Sequence, residues 1–281
     1  MSAIVWLASY PKSGNTWLRI LLANYLHAAE GPVDINELGD AFAVASSRGT
    51  FDRWSGVEAS ALDHATVDTL RPELYRRMSA TLGTDRLFVK VHDAWQLTPR
   101  GEPMFPAEAT AVVIYVVRSP LDVASSLAAH LGVDAAEAVR RMCDHEECFS
   151  RTPGRLHGQL RQWTGSWSDH VRAWLDDAPL RRHVVRYEDL RAQPETVFGE
   201  IVEACGLPRD DARIGAAVRF SDFSELRRQE AENGFAERHP NARDNFFRSG
   251  RIGSWRDEIG DELADRIREA HGPMMDRMNY Q

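Results

Sequence analysis

The segment SYPKSGNT, residues 9 to 16, has the residue types and spacing of a loop that binds an anion. It follows the apolar run IVWLA and precedes a stretch with helical periodicity. Backbone N–H groups at the start of a helix face an anion, and a glycine such as Gly14 lets the backbone approach it closely. The arrangement predicts binding of a phosphate or a similar group, and the alternative is an ordinary strand-to-helix turn.

The loop departs from the usual triphosphate-binding pattern G-x-x-x-x-G-K-[ST] at its lysine position. Gly14 and Thr16 match the second glycine and the final hydroxyl, but Asn15 stands where the lysine is expected. The lysine of this loop is Lys12. An acidic Mg²⁺ ligand at a strand end is also not evident, since the third predicted strand ends in Arg118. The pattern therefore predicts an anion site that uses Lys12 as its cation and needs no metal.

The segment KVH, residues 90 to 92, offers a second set of chemical groups at the end of another predicted strand. His92 has a side chain that titrates near neutral pH, so it is a candidate general base. Lys90 lies two residues earlier and therefore shares a strand face with His92. The alternatives are a structural histidine and a solvated lysine. Asp93, the next residue, would either orient His92 or contact a substrate.

Four apolar runs predict the strands that position these groups. They are AIVWLAS (3 to 9), RLFVKVH (86 to 92), AVVIYVVR (111 to 118) and HVVRYEDL (183 to 190), the last of which runs into another helix start. Helical periodicity extends from Asn15 to His27, and Ser119 and Pro120 predict the start of another helix. This alternation predicts an α/β fold with a central parallel sheet and helices on both faces. Ligands bind such sheets beyond the carboxyl ends of the strands, where the motifs fall.

The composition of the chain narrows the classes of function. Its 281 residues are 43% hydrophobic and 27% charged, as in an ordinary globular protein. The formal net charge of −8 argues against a nucleic-acid partner. Three cysteines, Cys143, Cys148 and Cys205, fit a reducing compartment better than a disulfide framework. The sequence has no signal-peptide pattern and no run near the roughly 20 apolar residues of a membrane span, so we expect a cytoplasmic protein without a membrane partner.

Three further stretches have less specific patterns. The stretch CDHEEC (143 to 148) lacks a second pair of zinc ligands, so we interpret it as a polar helical segment. Trp163, Trp167 and Trp174 recur at helical spacing and predict core packing, with the wall of an acceptor pocket as the alternative. The segment from about Glu230 to Trp255 is polar and weakly periodic, which predicts a functional loop or disorder.

Five segments, in order, resemble the cytosolic-type sulfotransferases, which use 3′-phosphoadenosine-5′-phosphosulfate (PAPS). They are YPKSGNTW (10 to 17), KVH (90 to 92), RSPLDVASS (118 to 126), RYEDL (186 to 190) and FRSGRIGSW (247 to 255). One such motif alone is weak, whereas five in order are specific. The resemblance implies a single α/β sulfotransferase domain over residues 1–281 with a P-loop-like phosphosulfate-binding loop. It also implies 3′,5′-adenosine diphosphate (PAP) as the product of PAPS.

The resemblance implies a role for each site residue. His92 is the base that takes the proton of the acceptor hydroxyl, Lys12 stabilises the leaving phosphate, and Lys90 lies near the sulfuryl group. The cofactor-binding residues that it implies are Lys12, Ser13, Gly14, Asn15, Thr16, Trp17, Arg118, Ser126, Tyr187, Phe223, Arg248, Ser249 and Gly250. Ser125 is a near neighbour of Ser126 and competes for the same assignment.

Within that set, the resemblance divides the residues by the part of the cofactor. Arg118, Ser126 and the segment Arg248 to Gly250 hold the 3′-phosphate, and Trp17, Tyr187 and Phe223 surround the adenine. The chain departs from the family at Asp222, where a small hydroxyl residue is common. The family's dimerisation pattern K-x-x-x-T-V-x-x-x-E is also absent after Trp255, so a dimer of that type is not expected.

The acceptor that we expect is a small molecule with a hydroxyl group, such as a phenol or a hydroxylated natural product. The stretches FDRW and KVHDAW suggest aromatic pocket walls. One alternative is an ATP-dependent small-molecule kinase that requires Mg²⁺, against which Asn15 argues. The other is a binding module that holds the cofactor without turnover, against which His92 and Lys12 argue.

Overall fold

The computed structural model describes residues 3–28, 30–81, 86–150, 158–242, 244–248 and 250–280. The strands found in these residues are β1 (Ile4–Ser9), β2 (Phe42–Val44), β3 (Leu87–Val91), β4 (Thr110–Val117), β5 (Cys148–Phe149), β6 (Gln162–Trp163) and β7 (Arg182–Arg186). The α-helices are α1 (Asn15–His27), α2 (Arg48–Ser55), α3 (His64–Thr81), α4 (Pro120–Leu131), α5 (Ala135–Met142), α6 (Trp167–Arg172), α7 (Tyr187–Ala192), α8 (Pro194–Ala204), α9 (Asp211–Phe220), α10 (Phe223–Asn233) and α11 (Gly260–Arg277). A π-helical turn, Ala173–Asp177, continues α6.

Five of the strands form a sheet in the order β2-β3-β1-β4-β7. Strand β1 pairs in parallel with β3, from Ile4 opposite Leu87 to Ala8 opposite Val91, and β2 pairs in parallel with β3 on its other side. Every residue of β1 is buried, as expected for a strand whose two faces are both covered. The predicted α/β fold with a central parallel sheet flanked by helices is confirmed.

The chain groups into two compact units, each made of three segments. The first unit contains Met1–Tyr10, Asp40–Tyr115 and His145–Val184, and the second contains Pro11–Gly39, Val116–Asp144 and Val185–Gln281. The phosphate loop therefore begins in the first unit and continues in the second. The single domain over residues 1–281 stays a prediction.

An aromatic cluster forms part of the core of the first unit. The ring of Trp6, from β1, lies edge-on to Tyr75 at 4.8 Å and to Phe105 at 5.0 Å, measured between ring centres. Trp174 lies 5.1 Å from Phe105. The indole N–H of Trp6 donates to the hydroxyl of Thr110 over 2.9 Å, so a buried tryptophan in a strand keeps its polar atom paired.

Helix α1 is largely buried in the second unit. All of its residues from Asn15 to Tyr25 are buried. Ser221, just after α9, fixes this helix, because its carbonyl accepts from the indole N–H of Trp17 at 3.0 Å and its hydroxyl accepts from the amide of Asn24 at 3.1 Å. The helix that follows the phosphate loop is thereby held along two turns.

Two interpretations of the sequence are wrong in detail. Residues 143 to 148 are not a helical segment, because α5 ends at Met142 and the chain turns into β5 at Cys148. The irregular segment starts later than Glu230, because α10 continues to Asn233.

Trp167 and Trp174 are fully buried, which confirms core packing for these two tryptophans. No described helix has both the length and the apolarity that crossing a membrane requires.

Candidate active site

The phosphate loop joins β1 to α1 through two residues in the left-handed region. Gly14 is the N-cap of α1 with φ 107°, and Lys12 has φ 70°. A residue other than glycine rarely adopts a positive φ, because the conformation is strained and the surrounding structure must hold it. Such residues cluster at functional sites. The loop thus ends at a helix N-terminus, whose first N–H groups have no partner within the helix.

Tyr187, the first residue of α7, connects three of the predicted cofactor residues. A Cβ atom placed on Gly14 would lie 2.6 Å from Cδ2 of Tyr187, so the loop fits against the ring only with glycine there. The Tyr187 hydroxyl donates to the carbonyl of Gly250 over 3.2 Å. The guanidinium of Arg118 lies 4.5 Å from the centre of the same ring. Burial raises the pKa of Tyr187, which keeps its hydroxyl protonated as a donor.

Arg118 follows β4 and is 8% exposed. Its two terminal nitrogens donate to the carbonyl oxygens of Lys12 and Arg251, each over 3.3 Å. Its Nε is buried and has no hydrogen-bond partner among the described residues. A buried donor without a partner needs an explanation, and an anion bound beside this guanidinium would supply the missing acceptor.

The two serines of α4 differ in their surroundings. Ser125 is buried, and its hydroxyl lies 3.5 Å from Arg248, which also pairs with Glu258 at 2.7 Å. Ser126 is partly exposed. Adjacent helical residues point about 100° apart, so only one of the two can face Arg248. The structure brings Ser125 to Arg248, whereas the resemblance assigns the 3′-phosphate to Ser126. Ser249 lies outside the described residues.

The aromatic residues predicted for the adenine lie close together in the second unit. A Cβ atom on Gly250 would lie 2.7 Å from the ring of Phe223. Trp17 meets the ring of Tyr187 edge-on with 5.9 Å between centres. The guanidinium of Arg191 lies 5.2 Å from the Trp17 ring and 6.0 Å from the Phe223 ring. Cations favour aromatic faces, so Arg191 covers two of these rings.

Asp222, the departure from the family beside Phe223, has a structural role. It is the N-cap of α10, and its carboxylate accepts from the backbone N–H of Ser224 at 2.9 Å. Hydrogen bonds from Ser224 lower the pKa of Asp222, so the carboxylate stays ionised at the helix N-terminus.

Three residues that the sequence analysis missed lie against the phosphate loop. The ammonium of Lys12 lies 3.8 Å from the centre of the Phe246 ring. Arg19 donates to the hydroxyl of Thr16 at 3.2 Å and to both carboxylate oxygens of Glu237 at 2.7 Å. The signal for Arg19 was its position one helical turn after Thr16. Phe246 and Glu237 come from the irregular segment, where no periodicity points to them.

Side chains of helix α10 hold the main chain at the start of the C-terminal motif. Arg227 donates to the carbonyls of Phe247, at 3.0 Å, and of Arg248. Glu230 accepts from the N–H groups of Phe246 at 2.6 Å and Phe247 at 2.9 Å. The segment that presents Phe246 and Arg248 is therefore fixed by side chains of the helix that begins with Phe223.

In the first unit, His92 follows β3 and is tied to the last residue of β1. Its Nδ1 lies 2.8 Å from the carbonyl oxygen and 3.3 Å from the hydroxyl of Ser9. A carbonyl oxygen only accepts, so Nδ1 carries the hydrogen and, in the neutral ring, Nε2 carries the lone pair. A histidine oriented in this way can act as a base through Nε2.

Lys90 and Asp93 flank His92 in different settings. Lys90 lies in β3, between strands β1 and β2, and is opposite Leu7 in β1 and Val44 in β2. Asp93 is 1% exposed, and both oxygens of its carboxylate accept from Arg71, at 3.1 and 2.8 Å. The two alternatives for Asp93 were the ring of His92 and a substrate, and the structure gives its carboxylate a different partner, Arg71.

Among the described residues, no group of three or more histidine, cysteine, aspartate or glutamate side chains is placed to hold a metal ion. The two cysteines of the CDHEEC stretch have different neighbours: Cys143 lies 3.8 Å from His271, and Cys148 pairs in β5 with Trp163. The described part of that stretch thus offers no metal site.

Comparisons with known proteins agree with this arrangement. The protein family described as "Sulfotransferase domain" matches residues 3–279 of this chain. The chain is 22% identical to flavonol 4′-sulfotransferase of Flaveria chlorifolia, covering 94% of this chain and 76% of the relative. It is 24% identical to sulfotransferase 1E1 of Mus musculus, covering 96% and 82%.

Two solved structures share the fold. A mouse sulfotransferase complexed with PAP has a TM-score of 0.58 at 18% identity, covering 97% of this chain and 84% of that one. Retinol dehydratase complexed with retinol and PAP has a TM-score of 0.61 at 17% identity, covering 97% and 81%. Together with the match over residues 3–279, they lead to one conclusion: the chain belongs to the sulfotransferase domain family, the family of PAPS-dependent enzymes that its five motifs resemble.

Proposed function

We propose that this protein transfers the sulfuryl group of PAPS to the hydroxyl group of a small-molecule acceptor, with His92 as the general base. The observation that carries the proposal is the hydrogen bond between Nδ1 of His92 and the carbonyl of Ser9. It fixes the tautomer with the lone pair on Nε2 and holds the base at the residue where the phosphate loop begins. A third group that orients the base in this way is a common feature of general-base sites.

The proposed donor site uses the second unit's loop and its cations. Lys12, Ser13, Gly14, Asn15 and Thr16 would hold the 5′-phosphosulfate at the N-terminus of α1. This assignment is supported by the left-handed backbone of Lys12 and Gly14. The structural neighbours were solved with PAP, which supports the same donor for this chain.

The remaining donor contacts would bind the nucleoside part of PAPS. Arg118, with its unpartnered buried Nε, would hold the 3′-phosphate together with Arg248 and Ser126 or Ser125. The rings of Trp17 and Phe223 would stack on the adenine. Tyr187 would position both the phosphate loop and Arg118, because its ring contacts Gly14 and the Arg118 guanidinium.

The proposed reaction exchanges one sulfur–oxygen bond for another. The acceptor oxygen forms a bond to sulfur while the bond from sulfur to the bridging oxygen of PAPS breaks, and PAP leaves. The acceptor proton passes to Nε2 of His92. Lys12 would neutralise the charge that builds on the bridging oxygen, and Lys90 the charge on the sulfuryl oxygens, as preorganised cations do in phosphoryl transfer.

The acceptor class that we propose is a phenol or another hydroxylated natural product. One curated relative is named for a flavonol, and one structural neighbour holds retinol. In this chain, Trp95 follows His92 closely, is partly exposed, and has a buried indole N–H without a partner among the described residues. Such a donor suits a polar group on an otherwise apolar ligand.

The donor is tested by calorimetry with PAP and with ATP–Mg²⁺ in the same buffer. Tight binding of PAP and weak binding of ATP–Mg²⁺ support the proposal. The reverse result would favour the kinase alternative, which family membership does not favour.

The base is tested by replacing His92 with alanine. We expect turnover of PAPS with a phenol acceptor to fall by about 10²-fold or more while PAP affinity stays the same, because the ring would be the base for the acceptor alone. His64→Ala, at the exposed start of α3, is the matched control. Full turnover by His92→Ala would exclude His92 as the base.

A further inference from the structure

The residue that we propose as the base is held by its main chain as well as by its ring. His170, on α6, is fully buried in the first unit. Its Nε2 lies 3.2 Å from the carbonyl oxygen of His92, and its Nδ1 lies 2.9 Å from the hydroxyl of Tyr115. His170 thus bridges a strand of the sheet, β4, and the residue that follows β3.

The direction of these hydrogen bonds follows from their partners. The carbonyl of His92 only accepts, so Nε2 of His170 carries the hydrogen. Burial lowers the pKa of His170 to about 3, so the ring is neutral at ordinary pH and its Nδ1 must accept. Burial also raises the pKa of Tyr115, which keeps its hydroxyl protonated as the donor. The chain of donors therefore runs from Tyr115 through His170 to the carbonyl of His92.

Packing fixes the His170 ring in this position. Tyr115 stacks on it with 5.7 Å between centres and 25° between planes, and Tyr10 meets it edge-on at 5.5 Å. One turn later, the indole N–H of Trp174 donates to the carbonyl of Asp93 over 3.0 Å. Two consecutive carbonyls, those of His92 and Asp93, thus receive donors from the same helical segment.

We propose that His170 is a positioning residue that fixes the main chain of His92, with Tyr115 setting the His170 tautomer. The proposal rests on the proposed role of His92 as the base. A main chain free to rotate at His92 would weaken the hydrogen bond between its Nδ1 and Ser9. The ring of His92 would then populate both neutral tautomers, instead of only the one with its hydrogen on Nδ1 and its lone pair on Nε2.

His170 itself is not offered as a second base. Both of its ring nitrogens are engaged, and its neutral form is the one that burial favours. Its effect would pass entirely through His92, which distinguishes it from a residue that only contributes to the core.

Three variants separate these roles. His170→Phe keeps a ring of similar size and removes both hydrogen bonds, whereas His170→Gln keeps an N–H donor on a side chain of similar length. Tyr115→Phe removes one hydroxyl and leaves Nδ1 of His170 without its donor. Each variant is first shown to unfold cooperatively, and any that does not is left out, since the other two still test the proposal.

The first measurement is the ¹⁵N spectrum of histidine-labelled protein, with His92 assigned by its loss in His92→Ala. Ring ¹⁵N shifts distinguish the two neutral tautomers. We expect His92 to hold its hydrogen on Nδ1 in the natural chain and to show a mixture in His170→Phe and Tyr115→Phe, with His170→Gln closer to the natural spectrum. Unchanged His92 shifts in folded His170→Phe and Tyr115→Phe would overturn the proposal.

The second measurement is turnover of PAPS with a phenol acceptor in a double-mutant cycle. We expect His170→Phe to lower kcat by about tenfold with PAP affinity unchanged, since small misplacements of a catalytic group cost this much or more. In the His92→Ala background the same substitution should have no further effect. An equal loss in both backgrounds would make His170 merely structural. Failure of the proposed function has a different signature, namely full turnover by His92→Ala.

Discussion

Gly14 lies so close to the ring of Tyr187 that any larger residue would collide with it: a Cβ atom there would be 2.6 Å from Cδ2. The contact joins the end of the phosphate loop to the first residue of α7. Because Tyr187 also donates to Gly250 and lies under Arg118, one ring aligns the loop, the cation and the C-terminal motif of the second unit.

Gly14→Ala should therefore damage cofactor binding without touching any polar group. The methyl group would displace Tyr187, and a φ of 107° is strained for alanine, which together cost about 1 to 3 kcal/mol of stability. We expect PAP affinity to fall at least about tenfold by calorimetry. Gly31→Ala is the control, since a Cβ atom there meets nothing within 4 Å. Equal PAP affinity in both variants would show that the contact does not shape the site.

Arg118→Ala should weaken PAP binding by about 10- to 100-fold, the amount expected for hydrogen bonds to a charged group. Arg118→Lys should recover only part of the loss, because an ammonium lacks the planar fork that stacks on Tyr187. Arg228→Ala, an exposed arginine on α10, is the matched control. If Arg118→Ala binds PAP as the natural chain does, the 3′-phosphate assignment is wrong.

Asp93→Ala should destabilise the fold by about 3 to 5 kcal/mol, because it removes the bidentate partner of the buried guanidinium of Arg71 and leaves it only the longer ion pair with Asp68, at 3.6 Å. Chemical denaturation measures the loss. Replacing Arg71 by methionine in the same chain should restore part of it, since no unpaired charge is then buried. A loss no larger for Asp93→Ala than for the double variant would contradict this account.

The burial of His170 predicts a pH-dependent stability. Its folded pKa, about 3, lies below the value of about 6.5 in an unfolded chain. Below pH 6.5 the unfolded chain therefore binds a proton that the folded chain does not, and stability falls as the pH drops. The expected slope is about 1.4 kcal/mol per pH unit. Denaturation between pH 6 and 4.5 should show a flatter slope for His170→Phe, and parallel slopes would contradict the prediction.

The sequence was informative about the fold wherever a pattern ran over a full strand or helix. The predicted bounds of α1, Asn15 to His27, agree with the structure, and Ser119 is the N-cap of α4 as predicted. Strand β2, Phe42–Val44, was missed because three half-buried residues carry almost no pattern. The acids and cysteines of 143 to 148 look helical in sequence, yet α5 ends at Met142 and Cys148 pairs with Trp163 in β5.

The positions of the candidate site residues were predictable where a motif fixes them and not where only packing does, and their roles stay predictions. The structure brings Gly14, Arg118, Tyr187, Phe223 and Gly250 together in the second unit, as the motifs predict. Arg71 has no motif, and its partner Asp93 lies 22 positions away in sequence.

His170 had a usable signal, although the sequence analysis passed over it. It shares one helical face with Trp167 and Trp174, at spacings of three and four residues, which marks a buried histidine. A buried histidine must find hydrogen-bond partners, and in this fold one of them is the main chain of His92.

The grip of α10 on the C-terminal motif has an evolutionary consequence. Arg227 and Glu230 hold carbonyl and N–H groups of residues 246 to 248, and every amino acid supplies these groups except that proline lacks the N–H. This anchorage therefore depends on the main chain of the stretch, whereas the contact of the Phe246 ring with Lys12 depends on a side chain. The main chain of this stretch can keep its position when its side chains change. Proline at residue 246 or 247 is the exception, because it would remove an N–H group that donates to Glu230.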